Sequence, residues 1–182
     1  MNWKEAVIVG ALFNVFWFVC VIGQNSYLWL SAVLIANCWW FYRGSIIAGI
    51  VVGLLGITID SVWYHAGLFV FPPATTLPQD ALDNTNLMIP YWLMLLWIGF
   101  GSFVWVMRHT VLSYPKIIVI AFFTLGGAMS YLAGRQLEAV QWPFGVPMTF
   151  CVLLVTWSLL GTILVWLTAC LSRRFYDLQL HR

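Results

Sequence analysis

The sequence predicts an all-α, polytopic membrane protein, a bundle of six transmembrane helices that forms a single domain over residues 1–182. The first observation is composition, because 63% of the residues are hydrophobic and only 8% are charged, against roughly 25% charged in a soluble domain. The second is the presence of six apolar runs near the length of about 20 residues that a crossing requires. The third is that these runs are apolar on all sides, whereas strands of a transmembrane barrel alternate apolar and polar residues.

Charges, prolines or polar turns bound each of the predicted segments. They cover residues 6–23, 26–42, 45–69, 90–107, 117–133 and 147–171. The first segment lacks a small-residue cleavage site, so we expect it to be retained and not removed as a signal peptide. The longest stretch without an apolar run, 72–89, is a connector in the interpretation we favour and a lid over an outer pocket in the alternative.

Basic residues predict the orientation, since Lys and Arg accumulate in cytoplasmic loops. With the N-terminus in the cytoplasm, the inner side holds Lys4, Arg43, Arg108, Lys116, Arg173, Arg174 and Arg182, and the outer side holds only Arg135. Both termini are therefore predicted to be cytoplasmic. The tail 172–182 is too short to fold alone and is expected to rest on anionic headgroups.

The spacing of ligand-type residues excludes the common cofactor sites. The four cysteines lie singly inside apolar segments, which is typical of small buried residues. His65 follows Asp60 by five residues, about 140° around a helix, and His109 lies at the opposite membrane face. We therefore predict no metal, no haem and no other cofactor, and we predict no nucleic-acid partner because the basic residues form no patch.

Asp60 is the one carboxylate in the middle of a long apolar run. Small and polar residues at helical spacing place it on a single helix face: Gly49, Gly53, Gly56, Asp60, Tyr64 and Gly67. Small residues let a neighbouring helix approach, so this face points at protein. An unpaired charge at that depth costs about 3 kcal/mol. The carboxyl must therefore be protonated, or a cation or hydrogen-bond donors must lie beside it.

Helix rise identifies a candidate partner for Asp60 on the fifth segment. Asp60 lies about 22 Å along from Ser45, and Arg135 lies about 28 Å along from Lys116. We predict that Asp60 faces Arg135, with Tyr64, Tyr131 and Glu138 completing the set. In the alternative, Arg135 pairs with Glu138 on its own helix while a neutral Asp60 bonds Tyr131 or a backbone group.

Five tryptophans lie deep inside the predicted segments, where each indole N–H needs an acceptor. They are Trp17, Trp63, Trp97, Trp105 and Trp157. Core filling is the interpretation we favour for them. Space between helices for a bulky apolar ligand is the alternative.

Several short motifs together carry a resemblance that covers nearly the full length. They are Asn14-x-Phe16-Trp17, Gly56-x-x-x-Asp60, Pro90-x-Trp92 with Trp97, and Gly126 through Tyr131-x-x-Gly134. With them the chain resembles the bacterial inner-membrane proteins of the domain-of-unknown-function family twenty-eight seventy-eight. The resemblance implies a multi-pass bacterial inner-membrane protein without an assigned activity, with a weak link to fatty-acid modification. It supplies no catalytic residues.

Three functions fit the predicted architecture. The first is a small permease or a solute- or lipid-binding membrane subunit, whose polar pocket in the outer half is formed by Asp60, Tyr64, His65, Tyr131, Arg135 and Glu138. The second is an enzyme or accessory protein in lipid or fatty-acid modification, and the third is a structural or assembly protein. The expected partners are membrane lipids and a small-molecule or lipid ligand, because ionisable residues within membranes mark functional sites.

Overall fold

The computed structural model describes residues 3–72 and 89–180, and these residues are almost entirely helical. The helices are α1 (Trp3–Gly23), α2 (Leu28–Phe41), α3 (Ser45–His65), α4 (Tyr91–Val106), α5 (Arg108–Ser113), α6 (Lys116–Gln136) and α7 (Val146–Leu180). Within those ranges the extended structure is limited to one isolated bridge, between Val70 and Gln141. The predicted all-α class is confirmed. Nearly all of the predicted connector 72–89 lies outside the described residues.

Four stretches are long and apolar enough to cross a membrane. They are Trp3–Phe41, Ser45–His65, Lys116–Gln136 and Val146–Arg173. The chain is thus compatible with a membrane protein. Length alone gives four spans where the sequence predicts six, because α4 has only 16 residues, about 24 Å of helix, and because α1 and α2 follow each other with little interruption.

The stretch Trp3–Phe41 is a helical hairpin and not one long helix. Gln24 adopts a left-handed conformation with φ +45°, at the start of a 3-10 turn that separates α1 from α2. The Cys20 Sγ and Ser31 Oγ atoms lie 3.4 Å apart, although 11 residues of continuous helix would separate them by about 16 Å. The two helices therefore run antiparallel, as the sequence predicts for the first two segments.

Two other predicted segments end at different residues in the structure. The third was expected to continue to residue 69, but α3 ends at His65 because Gly67 adopts φ +75°. The Gly67 N–H donates to the Tyr64 carbonyl and the Leu68 N–H donates to the Trp63 carbonyl, which is a Schellman cap. At the other end of the chain, α7 continues to Leu180, so the prediction of a tail that does not fold is wrong up to that residue.

The α4 helix lies at the centre of the bundle and contacts α1, α2 and α3. Its closest neighbour is α3, whose glycines face it directly. A side chain at Gly53 would meet Ile98, and one at Gly56 would overlap the indole ring of Trp97. The close approach predicted from the glycine face is confirmed.

A second glycine contact joins α6 to α7. A side chain at Gly127 would overlap the indole of Trp157, and that indole stacks on Trp97 with ring centroids 5.5 Å apart and an interplanar angle of 15°. In both glycine contacts the nearest ring atoms are Cδ2 and Cε2 of the ring fusion together with the adjacent Cε3, so each glycine packs against an indole ring near its centre. The core of the bundle thus includes a stacked tryptophan pair, in which Gly56 packs on Trp97 and Gly127 packs on Trp157.

Adjacent glycines on α6 provide a test of this packing. We expect Gly127→Ala to lower the free energy of unfolding by about 1–3 kcal/mol, because the added methyl group displaces the stacked indole. Gly126→Ala, whose added methyl group has nothing within 4 Å, should instead stabilise the helix by roughly 0.5–1 kcal/mol. Thermal unfolding of both variants in detergent measures the difference, and equal midpoints for the two would contradict the proposed packing.

Candidate functional site

The Asp60 carboxyl accepts hydrogen bonds from two other helices. Its side chain is only 1% exposed. Trp97 on α4 donates its indole Nε1–H to Oδ2 at 2.6 Å, and Tyr131 on α6 places its hydroxyl 2.6 Å from both carboxyl oxygens. One carboxyl group therefore links α3, α4 and α6 in the interior of the bundle.

The two donors differ in what they can do chemically. An indole N–H can only donate, whereas a phenolic hydroxyl can donate or accept. The Trp97 bond therefore always uses a carboxyl lone pair. The Tyr131 bond can persist when Asp60 is protonated, with the carboxyl O–H then donating to the phenol oxygen. Neutral donors thus supply the compensation that Asp60 requires.

The predicted pairing of Asp60 with Arg135 is wrong. Arg135 is exposed, and its guanidinium lies over the ring of Trp142, 5.8 Å from the centroid. It comes one helical turn after Tyr131, closer to the end of α6, and Tyr131 reaches the carboxyl first. The Asp60–Tyr131 hydrogen bond of the alternative is the contact that the structure contains, because a hydroxyl and an indole can satisfy the same lone pairs as a cation.

Glu138 does not occupy the helical position assumed for a pair with Arg135. The α6 helix ends at Gln136, and Glu138 adopts a left-handed conformation with φ +59°. Its N–H donates to the Arg135 carbonyl, and the Ala139 N–H donates to the Gly134 carbonyl, so Glu138 stands at the cap position that glycine usually occupies. The exposed carboxylate lies beyond the helix face used in the prediction.

The two remaining predicted residues lie at the end of α3. The Tyr64 ring is 5.4 Å from the His65 ring and 5.9 Å from the Phe71 ring, and His65 is exposed. Of the six predicted site residues, the structure brings Asp60 and Tyr131 into hydrogen-bond contact. Tyr64, His65, Arg135 and Glu138 lie around the same end of the bundle, outside that contact, and their assignment as a ligand-binding cluster stays a prediction.

Trp97 is the residue that the predicted site lacked. The sequence did mark it as one of five deep indoles in need of an acceptor, and Asp60 as a deep acceptor in need of a donor. For Trp97 and Trp17 that expectation is confirmed, since Trp17 donates to the Ser130 hydroxyl oxygen at 2.7 Å. The buried Trp63 N–H has no partner among the described residues.

A cavity of about 570 Å³ lies beside this hydrogen-bonded group, between α1, α4 and α6. Half of its lining residues are aromatic, with Phe13, Phe100 and Trp157 among them. Polar lining comes from Asn14, from Ser130 and from the polar atoms of the tryptophans and Tyr131, and none of the described lining residues is charged.

Asp60 does not line the cavity, but both of its donors do. The carboxyl lies on the side of these two donors that faces away from the cavity. Its hydrogen bonds therefore hold two aromatic lining residues in place, Trp97 on α4 and Tyr131 on α6. Phe69 supports the second wall, because its ring stacks on Tyr131 with centroids 5.3 Å apart. Asp60 is thus a positioning residue for the cavity.

Comparison with known proteins identifies one family. A family model described as a protein of unknown function (DUF2878) matches residues 6–163, so the chain belongs to this family, as the resemblance in its sequence motifs indicates. Neither the curated proteins nor the solved structures contain a match.

Substitutions at Asp60 separate hydrogen bonding from charge. Asp60→Asn keeps a carbonyl oxygen for Trp97 and an amide N–H that Tyr131 can accept, so we expect a loss of less than about 1 kcal/mol in the free energy of unfolding. Asp60→Leu leaves both donors unpaired and should lose about 1–3 kcal/mol for each of them. Thermal unfolding in detergent distinguishes the two, and equally large losses in Asn and Leu variants would show that charge is the stabilising property.

Proposed function

We propose that this member of the DUF2878 family is a membrane subunit that binds a lipid or a similarly apolar ligand in the cavity between α1, α4 and α6. The observation that carries the proposal is the cavity itself. Its volume of about 570 Å³ lies within the range of roughly 300–1,000 Å³ typical of ligand sites. Aromatic side chains make up half of its lining, and apolar and aromatic walls are typical of ligand sites.

The chemistry of the walls supports an apolar ligand over a polar transported solute. Transfer of an ion or an unpaired polar group into such surroundings is costly, and the described lining residues offer no charge to offset it. The charged residues predicted for a polar pocket, Arg135 and Glu138, do not line this cavity. A lipid-binding role is therefore favoured over a permease for charged solutes.

The position of the opening indicates where the ligand arrives. Every exposed residue of the lining belongs to α1 or α6, and these two helices make few contacts with each other. At the rim, Phe122 is 77% exposed and Met129 is 52% exposed. In a bilayer such side chains face acyl chains, so a ligand dissolved in the membrane reaches the cavity laterally.

We also infer six crossings of a bacterial inner membrane with both termini in the cytoplasm. Antiparallel packing supports six crossings: Phe13 stacks on Phe103 between α1 and α4, and Thr124 bonds Ser158 between α6 and α7. These pairings, together with the α1–α2 hairpin and the α3–α4 contact, bring the ends that carry Lys4, Arg43, Arg108, Lys116 and Arg173 to one side of the bundle. Arg135 lies at the opposite end, in agreement with the positive-inside rule.

Modification of the bound lipid is a second candidate function, and one observation favours it. Tyr131 both lines the cavity and bonds the Asp60 carboxyl at 2.6 Å. Such a pair can hold or release a proton next to a bound substrate. This candidate adds chemistry to the binding site and uses the same cavity.

Photolabelling tests the binding site directly. The probe is a long-chain alcohol that carries a diazirine, added to the protein in lipid nanodiscs. We expect labelled peptides from the cavity faces of α1, α4 and α6, because only ligand within the cavity reaches all three. In the dark, unchanged probe mass supports binding alone, and an altered mass supports modification.

Two phenylalanine substitutions at adjacent positions are matched controls for this experiment. Gly126 lines the cavity, and a Cβ atom added there meets nothing within 4 Å. Gly126→Phe therefore places a ring in the cavity and should reduce the labelling to background. Leu125→Phe adds the same ring at a residue that is 59% exposed and lies outside the cavity lining, and should leave the labelling unchanged. Equal labelling in both variants would reject the cavity as the site.

Cysteine accessibility tests the orientation. In a variant without the four native cysteines, we expect Arg135→Cys to react with a membrane-impermeant maleimide added to intact spheroplasts, because Arg135 is exposed at the outward end. Lys4→Cys should react only after the membrane is permeabilised. The opposite labelling pattern would show that the topology is inverted, with both termini outside the cytoplasm.

A further inference from the structure

Ser130 lies on the cavity wall and accepts a hydrogen bond from across the opening. The Trp17 indole on α1 donates to its Oγ at 2.7 Å, and both residues line the cavity. Because α1 and α6 otherwise make few contacts, this bond connects the two helices that border the opening. In this bond the Ser130 hydroxyl is the acceptor, so its own hydrogen is not used.

The hydroxyl proton of Ser130 has no acceptor among the described residues. A serine hydroxyl has one proton to donate and two lone pairs, and the Trp17 bond uses a lone pair. Other helical hydroxyl groups donate to the carbonyl four residues earlier, as Thr124 does to Ile120 at 2.8 Å and Ser158 does to Leu154 at 2.8 Å. Ser130 makes no such bond to Gly126, so its proton is available to the cavity.

The surroundings of Ser130 restrict what can accept that proton. Ser130 lies 14 residues after Lys116, about 21 Å along α6, which is well inside a hydrocarbon layer of about 30 Å. No charged side chain lines the cavity within the described part of the chain. An ionised headgroup would lose its hydration there without a counter-ion. An uncharged oxygen gives up much less hydration free energy on entering the cavity, and it gains the hydrogen bond from Ser130.

The length of the cavity restricts the rest of the ligand. Its lining extends from Phe122 to Gly134 on α6 and from Gly10 to Val21 on α1, which is about 17 Å along each helix axis. This shape fits an extended alkyl chain parallel to the helices. Asn14 is a second polar residue of the lining, and its amide nitrogen donates to the Gly10 carbonyl on its own helix.

From these observations we propose that the ligand is a long-chain amphiphile with an uncharged oxygen acceptor, and that the Ser130 hydroxyl donates a hydrogen bond to this oxygen. Alcohols, ethers and esters of long alkyl chains share this chemistry. The inference rests on the proposed function, because it names the ligand class of the same cavity.

Competition against the diazirine probe tests the ligand class. The competitors have equal chain length and are an alkane, an alkyl methyl ether, an alcohol and an ionised carboxylate. We expect the ether and the alcohol to compete about fivefold better than the alkane, which is the gain from one neutral hydrogen bond. The carboxylate should be no better than the alkane.

Substitutions assign the effect to one hydroxyl. Trp17 donates to Ser130 Oγ, so Ser130→Ala alone frees an indole N–H at the same place. Made together with Trp17→Phe, Ser130→Ala should therefore reduce the ether and the alcohol to the level of the alkane. Thr124→Val removes a hydroxyl on the same helix whose proton is already donated to Ile120, and should keep the fivefold advantage. Trp17→Phe removes the donor across the opening but keeps the Ser130 hydroxyl, and should also keep the advantage.

The outcomes separate this inference from the proposed function. If the ether and the alkane compete equally in the wild-type protein, or if the carboxylate competes best, the ligand class is wrong while the cavity remains a binding site. An oxygen advantage that survives when Ser130→Ala is combined with Trp17→Phe would overturn the role of this hydroxyl. If no competitor displaces the probe and no cavity peptide is labelled, the proposed function itself fails.

Discussion

One buried carboxyl group organises the bundle. Asp60 receives an indole N–H from α4 and a phenol O–H from α6, each at 2.6 Å. A salt bridge at this position would require the desolvation of two ions, which the attraction between them often fails to offset. Neutral aromatic donors satisfy the same oxygen lone pairs at a lower desolvation cost, and they bring large apolar rings into the core. The carboxyl thereby fixes three helices and two walls of the cavity.

Glycine makes this arrangement sterically possible. In the tryptophan pair of the core, Gly56 packs on Trp97 and Gly127 packs on Trp157, and any side chain at either glycine would overlap a ring. On α6 the preceding residue, Gly126, points elsewhere, because successive residues of a helix are rotated by about 100°. Gly127 therefore packs against Trp157 in the core, while Gly126 faces the open space of the cavity.

Polar groups near the cavity play different roles according to whether they line it. Asp60 lies on the far side of the aromatic wall, where it accepts hydrogen bonds from Trp97 and Tyr131. Ser130 lies on the wall itself, and none of the described residues accepts its hydroxyl hydrogen. The first arrangement holds the walls in place, and the second offers a single directional contact within an apolar volume. This division is typical of ligand sites in which apolar area supplies affinity and a few polar groups orient the ligand.

The sequence alone determined the fold class of the protein and which of its buried residues require a hydrogen-bond donor or acceptor. Composition predicted an all-α membrane protein, helical spacing predicted the glycine face of α3, and depth predicted that Asp60 lacks a donor while Trp97 lacks an acceptor. The tertiary structure decided that these two residues satisfy each other and that Tyr131, and not Arg135, completes the site. The physical reason is that a sequence specifies the hydrogen-bonding capacity of each group, whereas the choice of partner depends on how each helix is rotated and where it ends. For α6, both properties were set by packing on α7 and by the cap at Glu138.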